Sequence, residues 1–174
     1  MTLVPMQESR SANVSLPAER LEALLFELAE QRFALPASGV IELLRACALQ
    51  GLPKAPPLVL GVFNLRSEIV PVLDLRRRFG MPEKALDPGD FLILTRVAER
   101  RVALRVDRLL SIERLEVVPV SEAPNLAPGL EYVSGVAAVA DGVVLIADLE
   151  LFLTPVEGER LSTALNFATS ERNS

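Results

Sequence analysis

Gly61-Val62-Phe63-Asn64-Leu65-Arg66-Ser67-Glu68-Ile69-Val70-Pro71-Val72-Leu73-Asp74-Leu75 contains the densest β signal in the chain. Two runs of branched and apolar residues flank the dipeptide Arg66-Ser67, which predicts a β-hairpin with this dipeptide as its turn. Pro71 has no backbone N–H, so we expect its strand to be an edge strand or to carry a bulge there. Asp74 stands where it can cap a short helical turn.

Outward from this stretch, short apolar runs alternate with turn signals, the pattern of a β-sandwich or of small barrels. We therefore predict a mainly all-β fold with short helical segments. The Asp141-Gly142 dipeptide predicts another hairpin turn. The remaining runs expected to form strands are Ala23–Leu28, Gln31–Leu35, Val40–Leu44, Phe91–Val97, Arg101–Val106, Val117–Val120, Tyr132–Val139 and Val143–Ile146.

The ends of the chain are polar and do not continue this pattern. Residues 1–20 predict a disordered N-terminal tail. Residues 157–174 predict a C-terminal tail with at most a short helix over Glu159 to Phe167, and cutting after Glu157 is expected to leave the fold intact. Between the tails, Glu68–Leu75 and Gly142–Leu149 resemble each other as strands that run through Asp-Leu into a helical segment, a similarity too brief to prove duplication.

Composition excludes several classes of function. The 18 Lys and Arg residues against 23 Asp and Glu give a formal charge of −5, so nucleic acid is not expected as a partner. The chain has no His, which removes the usual general base, and a single cysteine, Cys47, which rules out a multi-cysteine metal site. The glycines are scattered and no phosphate-binding loop occurs. We therefore predict no catalytic, cofactor-binding or metal-binding residues.

The N-terminus shows no secretion signal, and no run of apolar residues is long enough to span a membrane. We therefore expect a cytoplasmic protein without direct membrane insertion. Cys47 lies in an apolar stretch, so we interpret it as a packing residue.

Individual polar residues have structural as well as functional interpretations. Asp74, Asp107 and Asp148 each end an apolar strand, where Asp commonly caps or turns the chain. Ser134 precedes Gly135, but the first glycine of a nucleophile elbow is missing, and a serine hydrolase is excluded because there is no His.

Arginines mark two further positions. The run Arg76-Arg77-Arg78 is interpreted as the exposed side of a short helix, or alternatively as a surface for an acidic partner. Arg66, at the tip of the predicted hairpin, is either a plain exposed turn residue or a guanidinium that reaches a carboxylate bidentately or lines a groove.

The stretch from Gly61 to Leu75 closely resembles the signature of CheW-like domains, in which a Gly-Val-x-Asn-Leu-Arg-Gly segment runs into a strand that ends Pro-Val-x-Asp-Leu. Ser67 stands where the family normally has glycine. The resemblance covers about residues 22–153 and extends to Leu25-Phe26, Phe33-Ala34-Leu35, Val40-Ile41-Glu42-Leu43, Val106-Asp107 and Glu131-Tyr132-Val133-Ser134-Gly135.

The resemblance implies a CheW-like domain over residues 21–156, built from two SH3-like five-stranded β-barrel subdomains at about 21–86 and 87–153, with exchange of elements between them left open. It implies a non-enzymatic adaptor that couples chemoreceptors to a CheA-type histidine kinase. Such adaptors bind the regulatory domain of the kinase and the cytoplasmic tip of a methyl-accepting chemotaxis receptor, and are recruited to membrane-associated receptor arrays. The residues carried over as partner-binding are Val40, Glu42, Gly61, Asn64, Leu65, Arg66, Leu109 and Gly135.

An alternative keeps the fold and changes the role. Because Ser67 replaces the family glycine, the chain could have lost coupling, and would then compete for the kinase or dock another motility protein.

Overall fold

Ten β-strands and two α-helices form the part of the chain that the structure, a computed structural model, describes: residues 19–120 and 130–172. The elements are β1 (Glu19–Leu28), β2 (Gln31–Pro36), β3 (Val40–Arg45), β4 (Val59–Leu65), β5 (Glu68–Asp74), α1 (Leu75–Arg78), β6 (Phe91–Val97), β7 (Arg100–Val106), β8 (Arg108–Pro119), β9 (Val133–Val139), β10 (Gly142–Ala147) and α2 (Pro155–Arg172). The mainly all-β prediction is confirmed. The predicted N-terminal tail lies outside the described residues except for Glu19 and Arg20, which begin β1.

The strands form two five-stranded sheets. One is a closed barrel in the order β1-β2-β10-β9-β8, and the other has the order β3-β6-β7-β5-β4. The two sheets follow the predicted boundaries, about 21–86 and 87–153, only if elements are exchanged between the subdomains, the possibility that the prediction left open. Residues 40–106 form the whole second sheet, and it is inserted between β2 and β8 because β1 pairs with β8 and β2 pairs in parallel with β10.

The β4–β5 hairpin has its turn at Arg66-Ser67, as predicted. Pro71 is not in an edge strand, since β5 lies between β4 and β7. Its missing N–H is tolerated for two reasons. Pro71 lies opposite Val62, whose N–H and C=O bond Gln50 instead, at 2.8 and 2.9 Å, and the pairing of β5 with β7 begins only at Val72.

The other predicted hairpins, β1–β2, β6–β7 and β9–β10, are also confirmed. In β9–β10 the turn is shifted by one residue. Val139 pairs with Gly142, so the two turn residues are Ala140 and Asp141.

Three apolar clusters hold the sheets. One contains barrel residues such as Leu25 and Val117, and another contains residues of the second sheet such as Val72 and Leu94. The largest cluster takes residues from both sheets, including Phe26 and Leu104, so the two sheets share a core. Four aromatic rings contact one another in series in this shared core. Phe33 stacks on both Phe26 and Phe79, and Phe79 packs edge to face on Phe152.

The C-terminal segment is an 18-residue helix and not a polar tail. Thr154 and Glu157 form a capping box, in which the Glu157 N–H donates to the Thr154 hydroxyl and the Thr154 N–H donates to the Glu157 carboxylate. Leu161 is buried in the shared core, and Ala164 is buried as well. The possible helix over Glu159 to Phe167 lies within α2, but the helix is longer than expected and docked on the core. Its docking was not predicted because the apolar stripe of α2 is narrow and made partly of alanine, so the helix is polar around most of its circumference.

Replacing Leu161 with Ala is therefore expected to lower the free energy of unfolding by about 2–5 kcal/mol, because the side chain is fully buried and its removal leaves a cavity. Urea denaturation measures the change. Asn166→Ala, at an exposed position of the same helix, is the control and is expected to stay within about 0.5 kcal/mol of the parent. Equal stability of both variants would show that α2 is not docked on the core.

Within the described ranges, no helix is long and apolar enough to cross a bilayer.

Candidate partner-binding site

The β4–β5 turn projects Arg66 from the second sheet. Arg66 and Ser67 both adopt the left-handed conformation, with φ of 49° and 71°, the geometry of a two-residue turn between strands of natural twist. Asn64, Arg66 and Ser67 are exposed and Leu65 is half-buried against the core of the second sheet. The tip of the hairpin is thus held by an apolar residue and presents polar ones.

Arg66 forms a bidentate ion pair with Glu42 of β3, with N–O distances of 2.9 and 3.1 Å. The hydrogen bonds that Arg66 donates to Glu42, and then the negative charge of that carboxylate, raise the pKa of Arg66 above its usual value. The sheet order places β3 and β4 at opposite edges, so the pair links the two edge strands. The Arg66 side chain is 72% exposed, so the pair adds little stability and its guanidinium is accessible to a partner.

Val40 and Leu109, two further candidate residues, lie in different sheets. Val40 lies in β3 near Glu42 and is half-buried against the shared core. Leu109 lies in β8 of the barrel, opposite Phe26, and is also half-buried against that core. The structure therefore joins Glu42 of β3 to Arg66 in the turn after β4, with Val40 in β3 and Asn64 and Leu65 in β4, and it leaves Leu109 in the other sheet.

Gly61 and Gly135 are buried and do not form a contact surface. A Cβ on Gly61 would lie 2.7 Å from the Gln50 carbonyl oxygen, and one on Gly135 would lie 2.4 Å from Cγ1 of Val117. Each glycine allows two backbone segments to approach closely. Their assignment as partner-contacting residues is corrected to a structural role beneath the surface.

Sequence reasoning missed exposed apolar residues on two strands. Ile41 and Leu43 project from β3, and Leu110 and Ile112 from β8. Leu43 pairs with Ile93 and Ile112 pairs with Leu24, and both of these partners belong to the shared core. Leu43 and Ile112 therefore lie beside residues of the shared core, and exposed apolar side chains grouped in this way are typical of protein contacts. The sequence of β3 gives no clear sign of this exposure, because apolar residues stand on both faces of the strand and only the burial of its residues alternates.

The three arginines of α1 form ion pairs within the molecule. Arg76 pairs with Asp107 at 2.5 Å, Arg77 pairs with Glu83, and Arg78 pairs with Glu157 of α2. The Arg76 and Arg78 side chains are largely buried, so both interpretations of the run as an exposed surface are wrong for them. These pairs fix α1 against its neighbours.

The three strand-ending aspartates have structural roles. Asp74 accepts from the Arg76 N–H and Asp148 from the Glu150 N–H, both at 3.1 Å, as predicted for caps. Asp107 lies between β7 and β8 and accepts from the Ala29 N–H at 2.8 Å as well as from Arg76. Burial opposes its ionisation, but these hydrogen bonds outweigh burial and hold the pKa of Asp107 below its usual value.

Across the described residues, no group of three or more potential metal-ligating His, Cys, Asp or Glu side chains comes together. Cys47 is exposed, which corrects its interpretation as a packing residue. What the arrangement offers is a surface of one ion pair and several apolar side chains, suited to binding another protein.

A family model described as the CheW-like domain matches residues 22–157. The chain belongs to this family. The chain is 27% identical over 165 residues to "Chemotaxis protein CheW" of Treponema pallidum, covering 91% of this CheW-like chain and 96% of the relative. It is 30% identical over 103 residues to "Protein FrzA" of Myxococcus xanthus, covering 59% and 64%. It is also 26% identical over 134 residues to "Chemotaxis protein CheA" of Treponema pallidum, covering 74% of this chain but 16% of that one.

Structure comparison agrees on the fold. The scaffolding protein TtCheW from Thermoanaerobacter tengcongensis superposes with a TM-score of 0.71 at 23% identity, covering 80% of the CheW-like chain described here and 96% of its own. At this identity the likeness supports the fold alone.

Ser67 carries a backbone cost in this CheW-like chain. Its φ of 71° is a conformation that glycine adopts without a Cβ penalty. Ser67→Gly is therefore expected to raise the free energy of unfolding by about 1 kcal/mol, since the strain it relieves outweighs the greater freedom of glycine in the unfolded chain. Thermal and urea denaturation measure the change. A loss of stability would mean that the serine is not strained in this turn.

Proposed function

We propose that the chain is a non-enzymatic adaptor that couples chemoreceptors to a CheA-type histidine kinase in chemotaxis or motility signalling. The observation that carries the proposal is the CheW-like match over residues 22–157, which includes the hairpin bearing Arg66. The relatives named CheW add support, and they are matched over most of their length. The proposed place of action is the cytoplasm, at membrane-associated receptor arrays.

Exposed residues of β3, the β4–β5 hairpin and β8 are proposed to bind two partners. The kinase regulatory domain and the cytoplasmic tip of a methyl-accepting chemotaxis receptor are the proposed partners. The Arg66–Glu42 pair with Asn64 supplies directional polar contacts, and the exposed side chains of Ile41, Leu43 and Ile112 supply apolar area. Apolar area at the centre gives most of the affinity of such a contact, while charges select the partner.

A second role is favoured by Ser67. Because this residue holds a strained conformation at the hairpin tip, the surface there can differ from that of a coupling protein. In that case the chain would bind the kinase without the receptor, or dock another motility protein. The partial match to a protein named CheA fits either role, since it indicates that a kinase carries a related segment.

Reconstitution tests the proposal. Purified chain, kinase and receptor in membranes are expected to form a complex in which kinase activity rises above that of kinase and receptor alone. Separate binding assays with the kinase regulatory domain and the receptor tip distinguish the two roles. Binding to both supports coupling, and binding to the kinase alone supports competition. Binding to neither contradicts both coupling and competition for the kinase.

A further inference from the structure

One edge of β8 is unpaired over most of the length of the strand. β8 pairs with β1 from Arg108 to Val117, whereas β9 reaches its other edge only over 117–119. The barrel therefore closes through the last three residues of β8. Within the part of the chain that the structure describes, residues 108–116 have a neighbouring strand on one side alone. The backbone N–H and C=O groups on the other side are free to pair with a further strand.

This free edge is exposed and partly apolar. All five residues from 110 to 114 are exposed, with Leu110 at 36% and Ile112 at 60%. Proteins often protect such an edge with proline or a bulge. Residues 108–116 contain no proline, and the bulge falls at Leu110, where the register with β1 shifts between Leu25 and Phe26. Ser111–Glu116 is left as a regular strand whose outer edge is open.

The charges in this regular strand favour one way of pairing the edge with a copy of itself. In an antiparallel pair of identical strands, the two-fold axis passes through one residue, which then faces its own copy. An axis at Glu113 or Arg114 puts like charges opposite each other, which is destabilising. An axis farther along meets β9, which pairs with the strand from Val117 onward. An axis at Ile112 joins two apolar side chains and places Ser111 opposite Glu113.

We propose that the free edge of β8 binds a second copy of this chain, with the two β8 strands paired antiparallel around Ile112. The contact is isologous, so it closes as a dimer and joins the two barrels through one continuous sheet. It is short, so the dimer is weak and depends on concentration. The inference goes beyond the proposed adaptor function and needs neither of its partners. Ile112 cannot face a second copy and a signalling partner at once, so the dimer is a state of the unassembled chain.

Sedimentation equilibrium of the full chain tests the dimer. The dimer fraction is expected to rise as the concentration increases from about 1 to 300 µM, as a weak contact requires. Ile112→Lys places two ammonium groups at the axis and is expected to lower the association constant about tenfold or more. Val143→Lys, at an apolar position of β10 that is 57% exposed, is the control and is expected to dimerise like the parent. A parent that stays monomeric overturns the proposal, as does a dimer that Ile112→Lys leaves unchanged.

Disulfide cross-linking tests the register, and it decides the question if Ile112→Lys fails to fold. Ile112→Cys and Arg114→Cys are each combined with Cys47→Ser, because the native thiol is exposed. Around an axis at Ile112, the two thiols at position 112 face each other, whereas those at position 114 lie about 13 Å apart along the strands. With diamide as the oxidant, Ile112→Cys is expected to form covalent dimer about tenfold or more faster than Arg114→Cys. Equal rates, or a faster reaction at position 114, overturn the proposal. Neither experiment contains kinase or receptor, so failure here leaves the adaptor function unaffected.

Discussion

Replacing Arg66 with Glu is expected to weaken assembly with receptor and kinase by about tenfold or more, while the chain remains folded. The substitution places a second carboxylate beside Glu42, so the bidentate pair becomes a repulsive contact. Because the Arg66 side chain is mostly exposed, its loss leaves the core unchanged. Circular dichroism melting and a receptor-dependent kinase assay measure the two effects separately.

Two controls identify the cause. Arg101→Glu reverses the charge in a comparable exposed pair, with Glu68 at 3.3 Å on the neighbouring strand, and is expected to leave assembly near the parent level. Glu42→Arg combined with Arg66→Glu restores a pair of opposite charges in reversed order. Recovery in the double variant assigns the effect to the link between β3 and β4, whereas failure to recover assigns it to contact between the partner and the guanidinium.

Two other outcomes for the Arg66→Glu variant would contradict the proposal. If it folds and couples like the parent, Arg66 is an ordinary turn residue and the resemblance fails at its most specific position. If it unfolds, the ion pair is structural. Coupling lost in a folded protein is the only result that agrees with the proposal.

Replacing Asp107 with Ala is expected to lower the free energy of unfolding by about 3 kcal/mol, because removing one member of a buried ion pair leaves an uncompensated charge. The Arg76 side chain is 7% exposed and would keep only a bond to the Pro82 carbonyl, and the Ala29 N–H would lose its acceptor. Asp141→Ala, which breaks an exposed pair with Arg32, is the control and is expected to have little effect. Urea denaturation at neutral pH compares the two.

The same carboxylate predicts a pH dependence. The folded-state pKa of Asp107 is lowered, so its contribution to stability is complete above the unfolded value of about 3.9 and is lost as pH falls through the folded value. Asp107→Asn removes this titration. The variant is expected to lose less stability than the parent as pH falls below about 4. Parallel losses in the two proteins would show that other carboxylates account for the acid sensitivity.

Local features of the fold could be predicted from the sequence, whereas its long-range pairing could not. The hairpin around Arg66-Ser67 and the caps at Asp74 and Asp148 depend on neighbouring residues, so short patterns were sufficient. The insertion of the second sheet depends on the pairing of β1 with β8, which leaves no mark in either strand alone. The sequence therefore could not show which elements are exchanged across the expected division near residue 86.

The candidate site shows the same limit. The reach of Arg66 to a carboxylate was predicted as one of its possible roles, but Glu42 as its partner is visible only once β3 and β4 are placed at the two edges of a sheet. Gly61 and Gly135 matched the family pattern without revealing that each is buried under a close backbone contact. Leu161 was overlooked because the burial of a narrow helical stripe depends on what it packs against.

The inserted second sheet has a consequence for protein synthesis. As the chain leaves the ribosome, β1 and β2 emerge first, yet the barrel cannot close until β8, β9 and β10 have followed. All five strands of the second sheet emerge in between, as one continuous run from residue 40 to residue 106. The second sheet, encoded in the middle of the gene, can therefore fold first. Phe26 and Leu28 of β1 can then pack against it, as they do in the shared core.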